Sequence, residues 1–351
     1  MMTKTLRLIG GLMLLAAPLV QGGCDFIGDL TGGDEKDEVV SGLLYPVQVD
    51  SLWGYINGNG RITILPAYDE ARDFSDGMAA VRKGDLWGYV NTSGKLVVQP
   101  QFALAGPFSE GLAPVRGPAF DAKYGYIDPA GKMAIEEQFD LAQPFSEAMA
   151  PVRVDQQWGF VNPAGDVVIA PKYSDAHPFH DGLAAVEGGS GWFYIDGTGA
   201  PAIKPSFAIN VAGDFSEGLA AFATSQGWGY FDKTGTPIVS PRFQAAAPFS
   251  QGLAPVQDEN GLYGFIDESG KMVVTSQFND ARGFSDGMAA VQLNNRWTYM
   301  SKKTNLVAFE MTFTQAEDFR GGLARVFIGG DDDVRLGYID RSGAYVWYPT
   351  H

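Results

Sequence analysis

The chain has 351 residues, 45% of them hydrophobic and 19% charged, with a formal net charge of −16. That composition excludes a disordered polymer, and the acidic balance excludes recognition of nucleic acid through clustered lysine and arginine. Gly at 45 and Pro at 20 suit many short strands joined by tight turns rather than a helical protein.

At the N-terminus, Lys4 and Arg7 flank an apolar stretch from Leu8 to Val20 that is short for a membrane span. Gly22-Gly23-Cys24 follows, and Cys24 is the only cysteine. This arrangement resembles the cleavage site of bacterial lipoproteins, where such a cysteine becomes the lipidated first residue of the mature chain. The resemblance implies a signal peptide over 1–23, a lipid anchor of the palmitate type on Cys24, and a place in the cell envelope outside the cytoplasm. Gln21 departs from that pattern, which has an aliphatic residue at this position. Asp25 follows the cysteine, as in enterobacterial lipoproteins kept at the inner membrane, but that rule is not general and the membrane stays open. Residues 24–41, with Gly28, Gly32, Gly33 and the run Asp34-Glu35-Lys36-Asp37-Glu38, read as a flexible acidic tether. No second long apolar segment follows, so no later membrane span is expected.

From about Gly42 the chain repeats itself. A large side chain precedes a short β-type run at Trp53, Trp87, Tyr124, Trp158, Trp192, Trp228, Tyr263, Trp297 and Leu336, at intervals of 34 to 39 residues. A period in this range marks a repeat architecture. The recurring residues are read as structural anchors that hold units together. Units begin near 42, 77, 111, 148, 182, 218, 252, 287 and 322. In the third, Gly111 to Arg116 is a first strand, Tyr124 to Ile127 a second and Lys132 to Glu136 a third, followed by a connector from Phe139 to Glu147.

The turn between the second and third strands opens with Asn or Asp, as at Asn57, Asn91, Asp128 and Asp267. It closes with Gly three residues later, as at Gly60, Gly94, Gly131 and Gly270. Asx first and Gly fourth suit a type I turn continued by a left-handed residue, so these strands form a hairpin. Pro66, Pro100, Pro171, Pro205, Pro241 and Pro349 are expected to end the third strand. The connector spaces apolar residues three apart, as in Phe102-Ala105-Phe108, which suits one helical turn or a compact loop. Pro46, Pro114, Pro151 and Pro255 inside the first strand place it at a sheet edge. The expected fold is therefore all-β: nine tandem three-stranded units, stacked as an open curved solenoid or closed as a propeller-like ring. The open form is favoured, since nine blades exceeds the usual four to eight.

Trp87-Gly88-Tyr89-Val90-Asn91, with Gly94-Lys95, Pro100 and Phe108-Ser109-Glu110-Gly111, resembles the WG-repeat (KWG) family over about nine-tenths of the chain. Phe193 and Thr298 replace the family's glycine, and Leu336 its aromatic residue. The resemblance implies a binding or scaffolding role and carries no shared catalytic residues.

His177 and His180 are the only close histidines, but zinc needs further ligands and no cysteine is at hand. The pair reads as a surface variant in which His180 replaces the usual connector serine, and His351 as a frayed terminus. Asp76, Glu110, Glu147, Asp181, Glu217 and Asp286 precede the unit-opening glycines and read as turn formers rather than calcium ligands. Asp331-Asp332-Asp333 reads as a charged hairpin tip. No nucleophile elbow or phosphate loop is present, so no catalytic, cofactor or metal site is assigned. The expected function is a non-enzymatic, membrane-anchored binding scaffold whose partner is an envelope protein or a polysaccharide. Its variable loops are 116–123, 187–191, 257–261 and 328–335. The alternative is a cell-wall or glycan hydrolase with a carboxylate pair in a groove across units.

Overall fold

The computed structural model describes residues 42–330 and 333–350, so the leader, Cys24 and the tether lie outside the described residues, as do Asp331, Asp332 and His351. Every regular element described is a β-strand. They form nine antiparallel sheets, eight of four strands and one, the first, of three among the described residues. These are the blades of a closed nine-bladed β-propeller.

The expectation of three strands fails at the connector, which makes neither a helical turn nor a loop. In the second blade it supplies a two-residue strand, Glu70–Ala71, paired with Met78–Lys83 through Glu70↔Arg82 and Ala71↔Val81. The intervening Asp76 and Gly77 both have positive φ, at 48° and 75°, while Ser75 and Met78 exchange backbone hydrogen bonds. That is the two-residue hairpin turn whose twist matches its strands. Each blade from the second onward thus takes its short strand from the chain that has just completed the blade before.

Of the first-strand prolines, Pro46 lies on an edge strand of the first blade's three described strands, but the other three do not mark an edge. Pro114, Pro151 and Pro255 face the short strand, where their carbonyls accept the N–H of Gly106, Gln143 and Ala247. The carbonyls of those three partners accept a tyrosine hydroxyl instead, from Tyr89, Tyr126 and Tyr230. A missing proline N–H therefore costs no ladder bond.

The Asx turn stands as read: Asn57 Oδ1 accepts the N–H of Asn59 and Arg61, and Gly60 has φ 75°. Except in the fifth blade, whose outer strand stops at Ile203 ahead of Pro205, the following proline does not end its strand. The outer strands Ile62–Tyr68, Leu96–Phe102 and Val167–Tyr173 run on through Pro66, Pro100 and Pro171 to an aromatic residue, with shifted register. That shift brings backbone over the glycine of the Trp-Gly pair. A Cβ on Gly159 would lie 2.5 Å from the Ile169 carbonyl oxygen and 2.6 Å from the Pro171 nitrogen. The fifth and eighth blades, which carry Phe193 and Thr298 instead of that glycine, have outer strands cut to Pro201–Ile203 and Leu306–Val307. A side chain where the backbone must cross is incompatible with the long outer strand.

Nine buried clusters lie one at each blade-to-blade seam. At the eight seams the chain crosses, a ring two residues after the anchor packs edge-on or tilted against the connector phenylalanine, as in Tyr89 and Phe108 at 4.9 Å. Neighbouring hairpin turns are bonded directly. Ser75, Ser109, Ser146, Ser216, Ser250 and Ser285 donate to the carbonyls of Phe108, Phe145, Phe179, Phe249, Phe284 and Phe319 in the next blade. Side chains one residue on take the next blade's turn N–H, as Asp76 does from Gly111 and Asp286 from Gly322.

The ninth blade meets the first, which overturns the expectation of an open stack. Tyr45 stacks edge-on against Tyr338 at 5.5 Å and donates to the Arg320 and Gly321 carbonyls at 3.0 and 2.9 Å. Tyr338 and Thr350 donate to the carbonyls of Pro46 and Gln48 on the first blade's own first strand. Arg320, at the serine position of the ninth blade, reaches the Phe74 carbonyl of the second.

Candidate functional site

The loops between the first and second long strands emerge at one end of the propeller, opposite the hairpin turns that clasp blade to blade. In the first, fourth and eighth blades they are two-residue turns with positive φ at both positions: Asp50-Ser51, Asp155-Gln156 and Asn294-Asn295. The third blade instead inserts Gly117 to Lys123, the seventh Asp258 to Leu262, and the ninth a loop between Ile328 and Arg335. The expected fourth loop, 187–191, is itself a tight turn, with Gly188 paired to Gly191. Phe120 is fully exposed at the tip of the third blade's loop, whose Lys123 forms an ion pair with Asp140. Asp258 Oδ1 accepts the N–H of Asn260 and Leu262, and that hydrogen bonding, led by Leu262, holds its carboxyl below the usual range.

A groove of about 380 Å³ lies at the closing seam, lined among others by Tyr45, Asp73, Glu317, Asp318, Arg320 and Arg325. Arg325 bridges Glu317 at 2.7 Å and Asp73 at 3.4 Å, and Arg320 approaches Asp73 at 3.8 Å. Burial raises the Asp318 carboxyl, with Arg282 opposing, and pushes the Tyr45 phenol up to about 12. Burial also pulls on the Arg325 guanidinium, but Tyr338, Asp73 and Glu317 outweigh it and raise its pKa, so it stays charged. These carboxylates are not confined to turns. Two of the three are nevertheless engaged by arginines, which suits a seam clamp better than acid–base chemistry.

The seam between the fifth and sixth blades departs most from the repeat. His180 stands where other blades have the bonding serine, and His177 Nδ1 lies 2.7 Å from Asp214 Oδ1 of the sixth blade. His180 Nε2 is 3.9 Å from Asp214 Oδ2. With the fifth blade's outer strand truncated, Phe207 stacks on Phe222 of the sixth blade, ring centroids 5.3 Å apart, and stays partly exposed. A cleft of about 400 Å³ opens there, lined by Phe207, Phe222, Gln226, Pro237, Ser240 and Pro241 among others. All of these lining residues are uncharged at neutral pH.

The sequence-predicted anchors occupy one equivalent position, the start of each second long strand. Trp53, Trp87, Tyr124, Trp158, Trp228 and Tyr263 pair with the aromatic residue ending the outer strand, as in Trp87↔Phe102. Trp297 bridges to Phe313, and Leu336 pairs with Thr350. Trp192 has lost this partner and packs against His177 instead. The residues that fill the seams more completely are Tyr55, Tyr89, Tyr126, Phe160, Tyr194, Tyr230, Phe265 and Tyr299, each fully buried. Their signal was present as an aromatic two places after each anchor. Among the described residues no group of three or more histidines, cysteines or carboxylates is placed to hold a metal, and no helix is long and apolar enough to cross a membrane.

The ring of repeated four-stranded blades defines a β-propeller built from tandem copies of one motif. The sequence profile described as WG containing repeat matches residues 53–87, 87–116, 124–158, 158–189, 228–263 and 263–297. The chain belongs to the WG-repeat family. A comparison with curated proteins finds no match. Among solved structures, a eukaryotic initiation factor superposes with TM-score 0.63 at 13% identity, covering 86% of this chain and 94% of the other. BamB from Moraxella catarrhalis gives TM-score 0.43 at 11% identity, with 82% and 96% covered. These are likenesses of fold. Unmatched stretches 190–227 and from 298 on include the cut outer strands of the fifth and eighth blades.

Proposed function

We propose that this protein is a non-enzymatic binding scaffold, anchored by lipid on Cys24 to a bacterial envelope membrane and displaying its propeller outside the cytoplasm. The observation that carries the reading is a division of labour. The clasped end repeats from blade to blade, whereas the three inserted loops and Phe120 crowd the other end, as expected when a rigid frame presents variable contacts. The partner is an envelope protein or polysaccharide that docks on the loop end. The alternative of a glycan hydrolase draws on the raised Asp318 beside Glu317 and Asp73, but the arginine pairing of those two leaves no free nucleophile or base beside it.

Crosslinking in intact envelopes, followed by capture of the tagged chain, tests the reading. A partner recovered with the native protein and lost when 117–123 is shortened to a two-residue turn supports it. Recovery of neither protein nor glycan overturns it. Cys24→Ala is expected to move the protein from the membrane to the soluble fraction and to abolish labelling by a clickable palmitate analogue.

A further inference from the structure

We infer that the seam between the fifth and sixth blades is a proton-dependent clasp, closed when the His177 imidazole is charged and loosened when it is neutral. The inference stands apart from the reading of function above and does not rest on it. Its basis is positional. In the second and eighth blades the place two residues before the connector phenylalanine holds Arg72 and Arg282. Each guanidinium lies over the same blade's Trp, Trp87 at 4.3 Å and Trp297 at 5.5 Å. Arg72 also crosses its seam to the Ala105 carbonyl at 2.7 Å.

His177 occupies that same place in the fifth blade. Its ring lies edge-on to Trp192 at 5.1 Å and crosses the seam to Asp214 at 2.7 Å. A position held by a permanent cation in the second and eighth blades is here held by a group that titrates near neutrality.

The seam keeps its buried cluster, and across it Tyr194 donates to the Gly213 carbonyl and Lys233 to the Asp181 carbonyl, both at 2.7 Å. The His177–Asp214 contact adds to these rather than standing alone. The Ser-to-Phe hydrogen bond is lost because His180 stands in the serine's place, although Asp181 still accepts the Gly218 N–H at 2.8 Å. The groups facing His177 are Asp214 from the sixth blade, Asp175 two residues before it, His180 three after it, and the neutral Trp192 ring. The hydrogen bond to Asp214 raises the imidazole pKa, burial opposes this, and the charges of Asp214 and Asp175 add to the rise. A raised folded value fixes the sign. The charged clasp is fully present below about pH 6.5 and is lost as pH climbs through the folded value. The neutral tautomer keeps at most an unassisted hydrogen bond, which is weaker.

Asp214 lies on the strand Val211–Ser216, a few residues after Phe207 and Ala208, which line the 400 Å³ cleft. Deprotonation therefore loosens the strand that follows one wall of that cleft, while its pairing to Leu219–Thr224 remains.

The test compares seams within one molecule by amide hydrogen exchange. Protection of Val211–Ser216 is measured relative to Ala245–Ala246 and the Phe249–Ser250 turn, across pH 5 to 9, so that the intrinsic pH dependence of exchange cancels. The relative protection is expected to fall about fivefold as pH rises through the His177 titration. The His177 Cε1 proton is expected to titrate above 6.5 in the full chain and at or below it in Asp214→Asn. His177→Arg restores the arrangement of the second and eighth blades and is expected to hold protection high at every pH. Titration of His177 at or below 6.5 in the native chain, a flat protection ratio, or pH dependence that survives in His177→Arg overturns the inference. The last two readouts keep the test open if Asp214→Asn fails to fold.

Discussion

The eight seams that the chain crosses and the one that it must close are built from different parts. The crossed seams have a covalent link and a buried cluster of eight to eleven residues, and in most an aromatic donates to or packs on the connector. The closing seam has six buried residues and, among the described residues, no chain crossing it. Side chains stand in for backbone: Tyr45 supplies both a ring and a hydroxyl, Tyr338 and Thr350 cap carbonyls that elsewhere face a short strand, and Arg320 bridges to the second blade. A ring of repeats thus concentrates its unique residues where periodicity cannot supply the contact.

Truncating the closing tyrosine is the severest test of that contrast. Tyr45→Ala is expected to cost about 3–5 kcal/mol in urea unfolding, with limited proteolysis cutting first in the ninth and first blades. A loss below about 1 kcal/mol would mean that the ring is not held there. Next in size is Gly159→Ala, where the new methyl meets the Ile169 carbonyl and Pro171. About 1–3 kcal/mol is expected from the forced shift, whereas Thr298→Ala, in a blade whose outer strand is already cut, should cost less than Gly159→Ala. Equal costs would break the link between the glycine and the long outer strand.

Ser250→Ala removes a 2.6 Å hydrogen bond to the Phe284 carbonyl at a crossed seam, and about 1 kcal/mol is expected by thermal unfolding. Smallest is the response of the exposed turn carboxylates. Hydrogen bonds from Thr198, Thr234 and Ser269 depress the carboxyl pKa values of Asp196, Asp232 and Asp267. Their contribution is present above about pH 3.9 and fades as pH falls through the folded values. The native midpoint should therefore drop more steeply below pH 4 than that of the triple Asn variant. Parallel acid profiles would show that these turns do not add to acid sensitivity.

The Asx turn was legible because its chemistry is local: the Asn57 side chain bonds backbone within four residues of itself. The anchors were legible as a period, but their role was only half visible. The glycine after each tryptophan is read naturally as freedom in the chain, when the cause is the outer strand crossing above it. The short strands were hidden because two residues carry no alternation and their partners lie about a dozen residues ahead, as in Glu70↔Arg82. Proline misled twice, since only the pairing partner decides whether its missing N–H matters. Closure was hidden because it depends on residues that occur once, Tyr45 and Arg320, which meet the repeated aromatic position at Tyr338. His177 and His180 were noticed as a pair and weighed for metal, while the residue that completes the contact, Asp214, is 37 positions away.

The short strand lent forward from one segment to the next has a genetic consequence. Cutting and rejoining the coding sequence at matching points of any two repeats always regenerates a whole blade, whatever the phase of the cut. Unequal recombination can therefore lengthen or shorten this gene by one period without leaving a raw sheet edge. The barrier to a change in copy number falls instead on the few residues that join the last blade to the first, which must then meet at a new angle.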